Sequence, residues 1–235
     1  MPTTRDLSTA TALVTGANRG LGRHLAAELV RRGATVYAGA RDPRSVDLPG
    51  VVPVQLDVTD AASIAAAVEA APGVDLLVNN AGSATGADLL TGSLDDVRTE
   101  LETHYVGSLA VTRAFLPSLV AHGGSVANVL SALSWVTFPP VGAYAAAKSA
   151  AWSMTSAIRQ QLAPQGVTVT ALHVGYMDTD MAAGAEGPKA DPAEVSVALL
   201  DAVAAGEYEV LVDDTSRQVR AGLSADLTAL YPHLA

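Results

Sequence analysis

Ala12-Leu13-Val14-Thr15-Gly16-Ala17-Asn18-Arg19-Gly20-Leu21-Gly22 passes from a short apolar run through a glycine-rich turn into a segment of helical spacing, Gly20–Arg32. The run Ala12–Thr15 reads as a strand covered on both faces, being apolar without alternation. Glycines at such a junction let the backbone turn tightly and approach a pyrophosphate, and the N–H groups opening the next helix offer donors and partial positive charge. The stretch is an anion seat by its chemistry. Its spacing, G-x-x-x-G-x-G, matches neither the G-x-G-x-x-G fingerprint nor the G-x-x-x-x-G-K-[ST] loop, so the turn alone reads equally as a tight strand-to-helix connection.

The same alternation continues along the chain. Further strands are predicted at Thr35–Gly39, Val52–Leu56, Asp75–Val78, Ser125–Leu130, Thr168–His173 and Glu209–Val212. Helices are predicted at Ala61–Ala70, Leu94–Ala121, Ala143–Ala163, Pro192–Ala204 and Thr215–Leu230. Asp191-Pro192-Ala193-Glu194 supplies a cap, a first-turn proline and a third-position Glu. Strands and helices in alternation define an α/β fold, a Rossmann-type doubly wound parallel sheet of about seven strands with helices on both faces. No linker or repeat interrupts it, so residues 1–235 are expected to form one dinucleotide-binding domain.

Composition narrows the function. Hydrophobic residues at 49 % and charged ones at 16 % exclude a disordered chain. A net charge of −10 disfavours nucleic acid and anionic lipid as partners. Without cysteine there is no disulfide, thiol nucleophile or zinc-thiolate site, and no metal is expected. Met1 to Thr11 is polar and shows neither a secretion signal nor a span, so a cytoplasmic setting is the default expectation.

After the second strand, where an NAD-binding protein tends to place an acid on the ribose 2′-hydroxyl, the chain reads Ala38-Gly39-Ala40-Arg41-Asp42. A small residue followed by Arg41 removes a like-charge clash and supplies a fork for a 2′-phosphate, with Arg19 as a second cation. NADP(H) is favoured over NAD(H), although Arg41 also reads as a solvated residue opening a loop. Asp57, beside Val58, either accepts from the adenine amino group or caps the helix starting near Asp60.

Tyr144 and Lys148 are four apart on the predicted helix Ala143–Ala163 and so share a face. A neighbouring ammonium and a positive nicotinamide would favour the phenolate and lower the phenol's pKa, making Tyr144 a usable acid and base. Ser131, ending the fifth strand, is placed to bond the same substrate oxygen.

With the glycine turn, Asn79-Asn80-Ala81-Gly82 after the fourth strand, Ser131, Tyr144 with Lys148, and Gly175 to Thr179 after the sixth strand, the chain resembles the short-chain dehydrogenase/reductase family in its compact single-domain branch. The resemblance implies Tyr144 as acid/base, Ser131 as the group orienting the carbonyl, and Lys148 on the nicotinamide ribose, where it lowers the tyrosine's pKa. It implies cofactor contacts from Gly16, Asn18, Arg19, Gly20, Leu21, Gly22, Arg41, Asp57, Val58, Asn80, Ala81, Gly82, Gly175 and Met177, with Thr179 on the carboxamide. Members commonly pair through the two long helices, so a homodimer or homotetramer is expected.

Two residues depart from the family pattern. His104 in Thr103-His104-Tyr105-Val106-Gly107 stands where the family usually has an Asn that holds a proton-relaying water. An imidazole either preserves that relay and makes it pH-sensitive or is a helix residue packed without a role. Val174-Gly175 replaces the common Pro-Gly, with little chemical consequence expected. Trp135, Phe138, Tyr176 and Met181 are expected as an apolar substrate wall under a short lid, Asp180 to Ala190. No cation is obviously aimed at a carboxylate, which points to a neutral ketone, aldehyde or secondary alcohol. The rival function is a non-catalytic dinucleotide sensor, which has no need of Ser131, Tyr144 and Lys148 together.

Overall fold

A computed structural model describes residues 4–231 and Leu234 of the chain. Met1 to Thr3, the beginning of the polar N-terminal stretch, lie outside the described residues. Seven strands form one parallel sheet: β1 (Thr11–Thr15), β2 (Thr35–Ala40), β3 (Val51–Gln55), β4 (Leu76–Asn79), β5 (Ser125–Val129), β6 (Thr168–His173) and β7 (Glu209–Leu211). Their spatial order is β3-β2-β1-β4-β5-β6-β7. The chain builds outward from β1 to β3, then returns to start again at β4 on the other side of β1. That reversal opens a crevice above the carboxyl ends of β1 and β4, the place where such sheets bind ligands.

Alternation within the strands explains why both faces are covered. Ala12 and Val14 point into one apolar layer with Leu25 and Leu29 of α1 (Gly20–Arg31) and Leu199 and Leu200 of α6 (Pro192–Ala205). Leu13 between them points into the other layer, with Phe115 of α4 (Ser108–Ala121) and Met154 and Ile158 of α5 (Gly142–Leu162). Leu76 and Val78 against Leu77 in β4 repeat the division. Helix α2 (Ala61–Ala70) closes the second layer through Ile64 and Ala67, and Asp60 caps it by accepting from Ala62 N–H. The expected cap of α6 forms as well: Asp191 accepts from Ala193 N–H at 2.8 Å.

Two expected helices are broken. Leu94–Ala121 is three pieces: α3 (Leu94–Leu101), a π-helical stretch at Glu102–Gly107, and α4. Gly107 passes so close to the third-strand loop that a Cβ there would lie 2.8 Å from the Val58 carbonyl, and the widened turn lets the chain make this approach. Thr215–Leu230 is two helices, α7 (Asp214–Gly222) and α8 (Leu227–Leu230), each with its own Asp cap, Asp213 and Asp226. Propensity alone does not show that a new cap starts a new helix.

A chain of buried side-chain hydrogen bonds crosses the sheet beneath the crevice. The Asn79 amide donates to Thr112 Oγ1 of α4 and to Asn128 Oδ1 of β5, each at 2.9 Å. Asn128 in turn donates to Thr155 Oγ1 of α5 at 2.9 Å. This polar thread ties α4 to α5 through the two strands whose ends carry the site. Asn128→Ala would leave a buried amide and a hydroxyl short of partners and is expected to cost about 1–3 kcal/mol. Urea unfolding would measure it, and a loss under about 0.5 kcal/mol would mean that the thread does not stabilise the fold.

Candidate functional site

The crevice is a cleft of about 730 Å³. Its floor is the glycine turn. Gly16 and Gly20 have φ of +65° and +53°, open to glycine and strained for other residues. The backbone is so compact that a Cβ at Gly22 would lie 2.2 Å from the Gly16 carbonyl oxygen. Asn80 fastens the turn to β4: its amide donates to the carbonyls of Thr15 at 2.9 Å and Gly16 at 3.2 Å, and its N–H reaches Thr15 Oγ1. Gly16, Asn18, Arg19, Gly20 and Leu21 all line the cleft, while Gly22 lies behind it and only permits the packing.

At one end of the cleft stand Arg41, Asp57 and Val58. Asp42 is engaged by Arg44, whose guanidinium bonds both carboxylate oxygens at 2.9 and 3.0 Å, so the acid next to Arg41 is already countered. Asp57 accepts from the N–H and hydroxyl of Thr59, which hold its carboxyl below the ordinary range, with help from the Arg41 charge. It is Asp60, not Asp57, that caps α2. Arg19 reaches over the cleft to Asp180 at 3.7 Å.

At the other end Ser131, Tyr144, Lys148 and His104 converge with Asn80, Ala81 and Gly82, and Gly175, Met177 and Thr179 close the facing wall. Ser131 caps a short turn, its Oγ accepting from Leu133 N–H at 3.1 Å, which fixes the hydroxyl at the end of β5. Lys148 is buried; its Nζ donates to the Val129 carbonyl at 2.9 Å and lies 5.6 Å from the Tyr144 ring centroid. The His104 ring meets Tyr144 edge-on at 5.1 Å. Burial governs the titrations. It pushes the Tyr144 phenol above its ordinary value, against the opposing Ser131 hydroxyl. The expected lowering draws on the nicotinamide charge as well as the ammonium; among the chain's own groups burial is the largest influence on the phenol. Burial also lowers Lys148 from 10.5 to about 8, and it lowers His104, with the Lys148 charge acting in the same sense.

Of the four residues expected around a substrate, only Met181 lines the cleft. Trp135 is turned away and stacked on His173 at 3.8 Å, with Trp152 at its edge and Arg220 over its ring. Phe138 and Tyr176 are 50 % and 45 % exposed, outside the cleft lining. Two residues that patterning gave no reason to single out shape the site. Asp213 accepts from Gly175 N–H at 2.6 Å while capping α7, pinning the loop after β6. Glu100, fully buried, faces His104 Nε2 at 3.2 Å. Its i, i+4 spacing to His104 is the one signal of this in the sequence, and that spacing ordinarily marks a surface pair.

A seven-stranded Rossmann-type sheet with a glycine seat and a Ser, Tyr, Lys cluster at the switch point defines a dinucleotide-dependent oxidoreductase. The chain belongs to the short-chain dehydrogenase family, whose model, "short chain dehydrogenase", matches residues 10–189. It is 32% identical over 187 residues to an NADP-dependent 3-hydroxy acid dehydrogenase of Schizosaccharomyces pombe, covering 72% of each chain. It is 32% identical to the trans-4-hydroxycyclohexanecarboxylate dehydrogenase of Sinomonas cyclohexanicum, covering 74% of each. A short-chain dehydrogenase from Burkholderia cenocepacia, solved in complex with NADP, superposes with a TM-score of 0.93 at 38% identity, over 98% of this chain and 99% of that one. Among the described residues no helix is long and apolar enough to cross a membrane.

The folded-state value of Lys148 lies below its unfolded one, so the folded chain binds fewer protons between pH of about 8 and 10.5. The cost of burying the ammonium is complete below that window and fades as the pH rises through it. Lys148→Met is therefore expected to raise the melting temperature at pH 7 by roughly 3–8 °C, a gain that shrinks toward zero above the window. Melting curves at pH 7 and at the alkaline end check this, and a destabilised variant at pH 7 would contradict it.

Proposed function

We propose that the protein, acting as a single domain over residues 1–235, reduces a neutral ketone or aldehyde to an alcohol with NADP(H), or runs the reverse reaction. The observation that carries this reading is the convergence of Ser131, Tyr144 and Lys148 at one end of the cleft whose floor is the glycine seat. The seat fits a dinucleotide by its own geometry: a backbone cradle that a Cβ at residue 16 or 22 would fill, continuing to Arg41 at the far end. Arg41 and Arg19 would hold the 2′-phosphate that separates NADP from NAD. The bound nicotinamide would supply the hydride.

The chain's own groups handle the proton. Burial keeps the Tyr144 phenol protonated, the form needed to donate to a carbonyl oxygen as that oxygen gains charge. The Ser131 hydroxyl, fixed at the end of β5, orients the same oxygen. Lys148, 5.6 Å from the phenol ring, stabilises the phenolate left behind and returns a proton to it. His104 resupplies Lys148 in place of the family's usual Asn. Among the described residues the only cations lining the cleft are Arg19, Arg41, Lys148 and, if protonated, His104, so no further cation awaits a substrate carboxylate, which supports a neutral carbonyl compound. Pairing through α4 and α5 into a homodimer or homotetramer belongs to the same reading and is tested by sedimentation.

Tyr144→Phe is expected to lower NADPH-dependent reduction by about 10²–10⁴-fold with NADPH binding retained. Undiminished ketone reduction by the folded variant would refute the assignment. Arg41→Ala should weaken NADPH binding by about 10- to 100-fold and leave NADH nearly unchanged. Fluorescence titration of both nucleotides reads this, and equal losses for the two would remove Arg41 from the 2′-phosphate site.

A further inference from the structure

Glu100 is a fully buried carboxylate that the proton path above does not use. A charge in such a place is expensive unless it is paired and hydrogen-bonded. Three donors meet it. Ser83 Oγ donates at 2.6 Å and Thr85 N–H at 2.5 Å, both from the segment after β4, and His104 Nε2 lies 3.2 Å away. Although burial works to raise it, these donors hold the carboxyl well below the ordinary range, as an anion.

The arrangement decides where the hydrogen of His104 sits. Nε2 faces two acceptors, Glu100 Oε2 at 3.2 Å and the Ser83 carbonyl at 2.9 Å, and one donor, the Ser83 N–H at 3.2 Å. A carboxylate anion and a carbonyl together outweigh one neutral amide donor, so Nε2 carries the hydrogen, which leaves Nδ1 with the lone pair. The Nδ1–Cε1 edge lies against Gly82: a Cβ on that glycine would come within 2.7 Å of Cε1 and 3.5 Å of Nδ1. Gly82 and His104 both line the cleft. On its other side His104 walls a cavity of about 10 Å³, together with Lys148, Asn79 and Asn128. That is room for one water, and the buried Asn79 Oδ1 there has no protein partner.

We propose that Glu100 is a positioning residue for the reduction: its carboxylate holds His104 in the Nε2–H form, so that Nδ1 takes up and releases the relayed proton, and it balances the charge the ring carries meanwhile. The inference rests on the reading of His104 as a relay. The only bond made and broken in the pair is Nδ1–H; Nε2–H stays directed at Glu100 throughout. The charges facing the ring are Glu100 from α3, which favours proton uptake, and Lys148 from α5, which opposes it, beside the phenol of Tyr144.

The test combines ¹⁵N-histidine NMR of the full chain with kinetics. His104→Asn assigns the resonance. The expected wild-type signal at pH 7 is a neutral ring with Nε2 protonated; an Nδ1–H tautomer or an imidazolium overturns the proposal without any variant at Glu100. In Glu100→Gln the pH at which the ring charges should fall by about one unit or more; no shift overturns it. Against a panel of neutral carbonyl compounds with NADPH, Glu100→Gln should lower kcat by about tenfold and move its pH profile to lower pH. The same change in a His104→Asn background should cost less than about twofold. Equal losses in both backgrounds sink the positioning role and leave the oxidoreductase reading standing. A wild-type protein that binds NADPH yet reduces no member of the panel sinks that reading, while the NMR arm still decides the tautomer.

Discussion

Residue 22 has no room for a Cβ. An added carbon would sit 2.2 Å from the Gly16 carbonyl and 2.5 Å from the Asn80 amide, so the first turn of helix α1 packs this closely on the glycine turn because the chain has no side chain there. From that contact the rest of the cleft follows. The close approach brings the Gly16 carbonyl within reach of Asn80, and Asn80 fastens the turn to the end of β4. Since β1 and β4 are neighbours in the sheet, the pinned turn lies at the point where strand order reverses. A larger residue at 22 would separate the seat from the strand that carries the other half of the site.

The polar thread beneath the cleft serves the same end. Asn79 and Asn128 are register partners in β4 and β5, so their amides meet where the two strands lie side by side. Each also reaches a threonine on a flanking helix. Helix α5, which carries Tyr144 and Lys148, is thereby registered against the strands by directional bonds as well as by apolar contact. Apolar packing alone tolerates small slides; a buried amide that would lose its partner does not.

Much of this architecture is legible in the amino-acid sequence. All seven strands fall where short apolar runs predict them, within a residue or two at each end, because strands covered on both faces leave an unbroken apolar signature. The glycine turn, Ser131, Tyr144 and Lys148 stand out in the sequence by residue type and spacing, and the fold brings them to one cleft. What stays hidden depends on contacts between distant segments. The π-helical stretch arises from Gly107 passing Val58, and no local periodicity encodes that meeting. Trp135 reads as a substrate wall by its nearness to Ser131 in sequence, yet its ring stacks on His173 of β6. Glu100 is one of several acids on the predicted helix Leu94–Ala121, and nothing local singles it out. Its burial comes from Ser83 and Thr85, which reach it from the segment following β4.

Desolvation acts on the two central groups in opposite senses, and on the proposed reading that opposition sets the direction of proton flow. In water a phenol and an ammonium have nearly the same acidity, so neither drives a proton to the other. Burial disfavours the charged form of each, which raises the phenol and lowers the ammonium to about 8. Inside the protein the ammonium is therefore the stronger acid. A phenolate formed when Tyr144 gives its proton to a substrate is then reprotonated downhill by Lys148. The field of the Glu100 anion works against this lowering of Lys148 without reversing it, so the ammonium stays the stronger acid of the two.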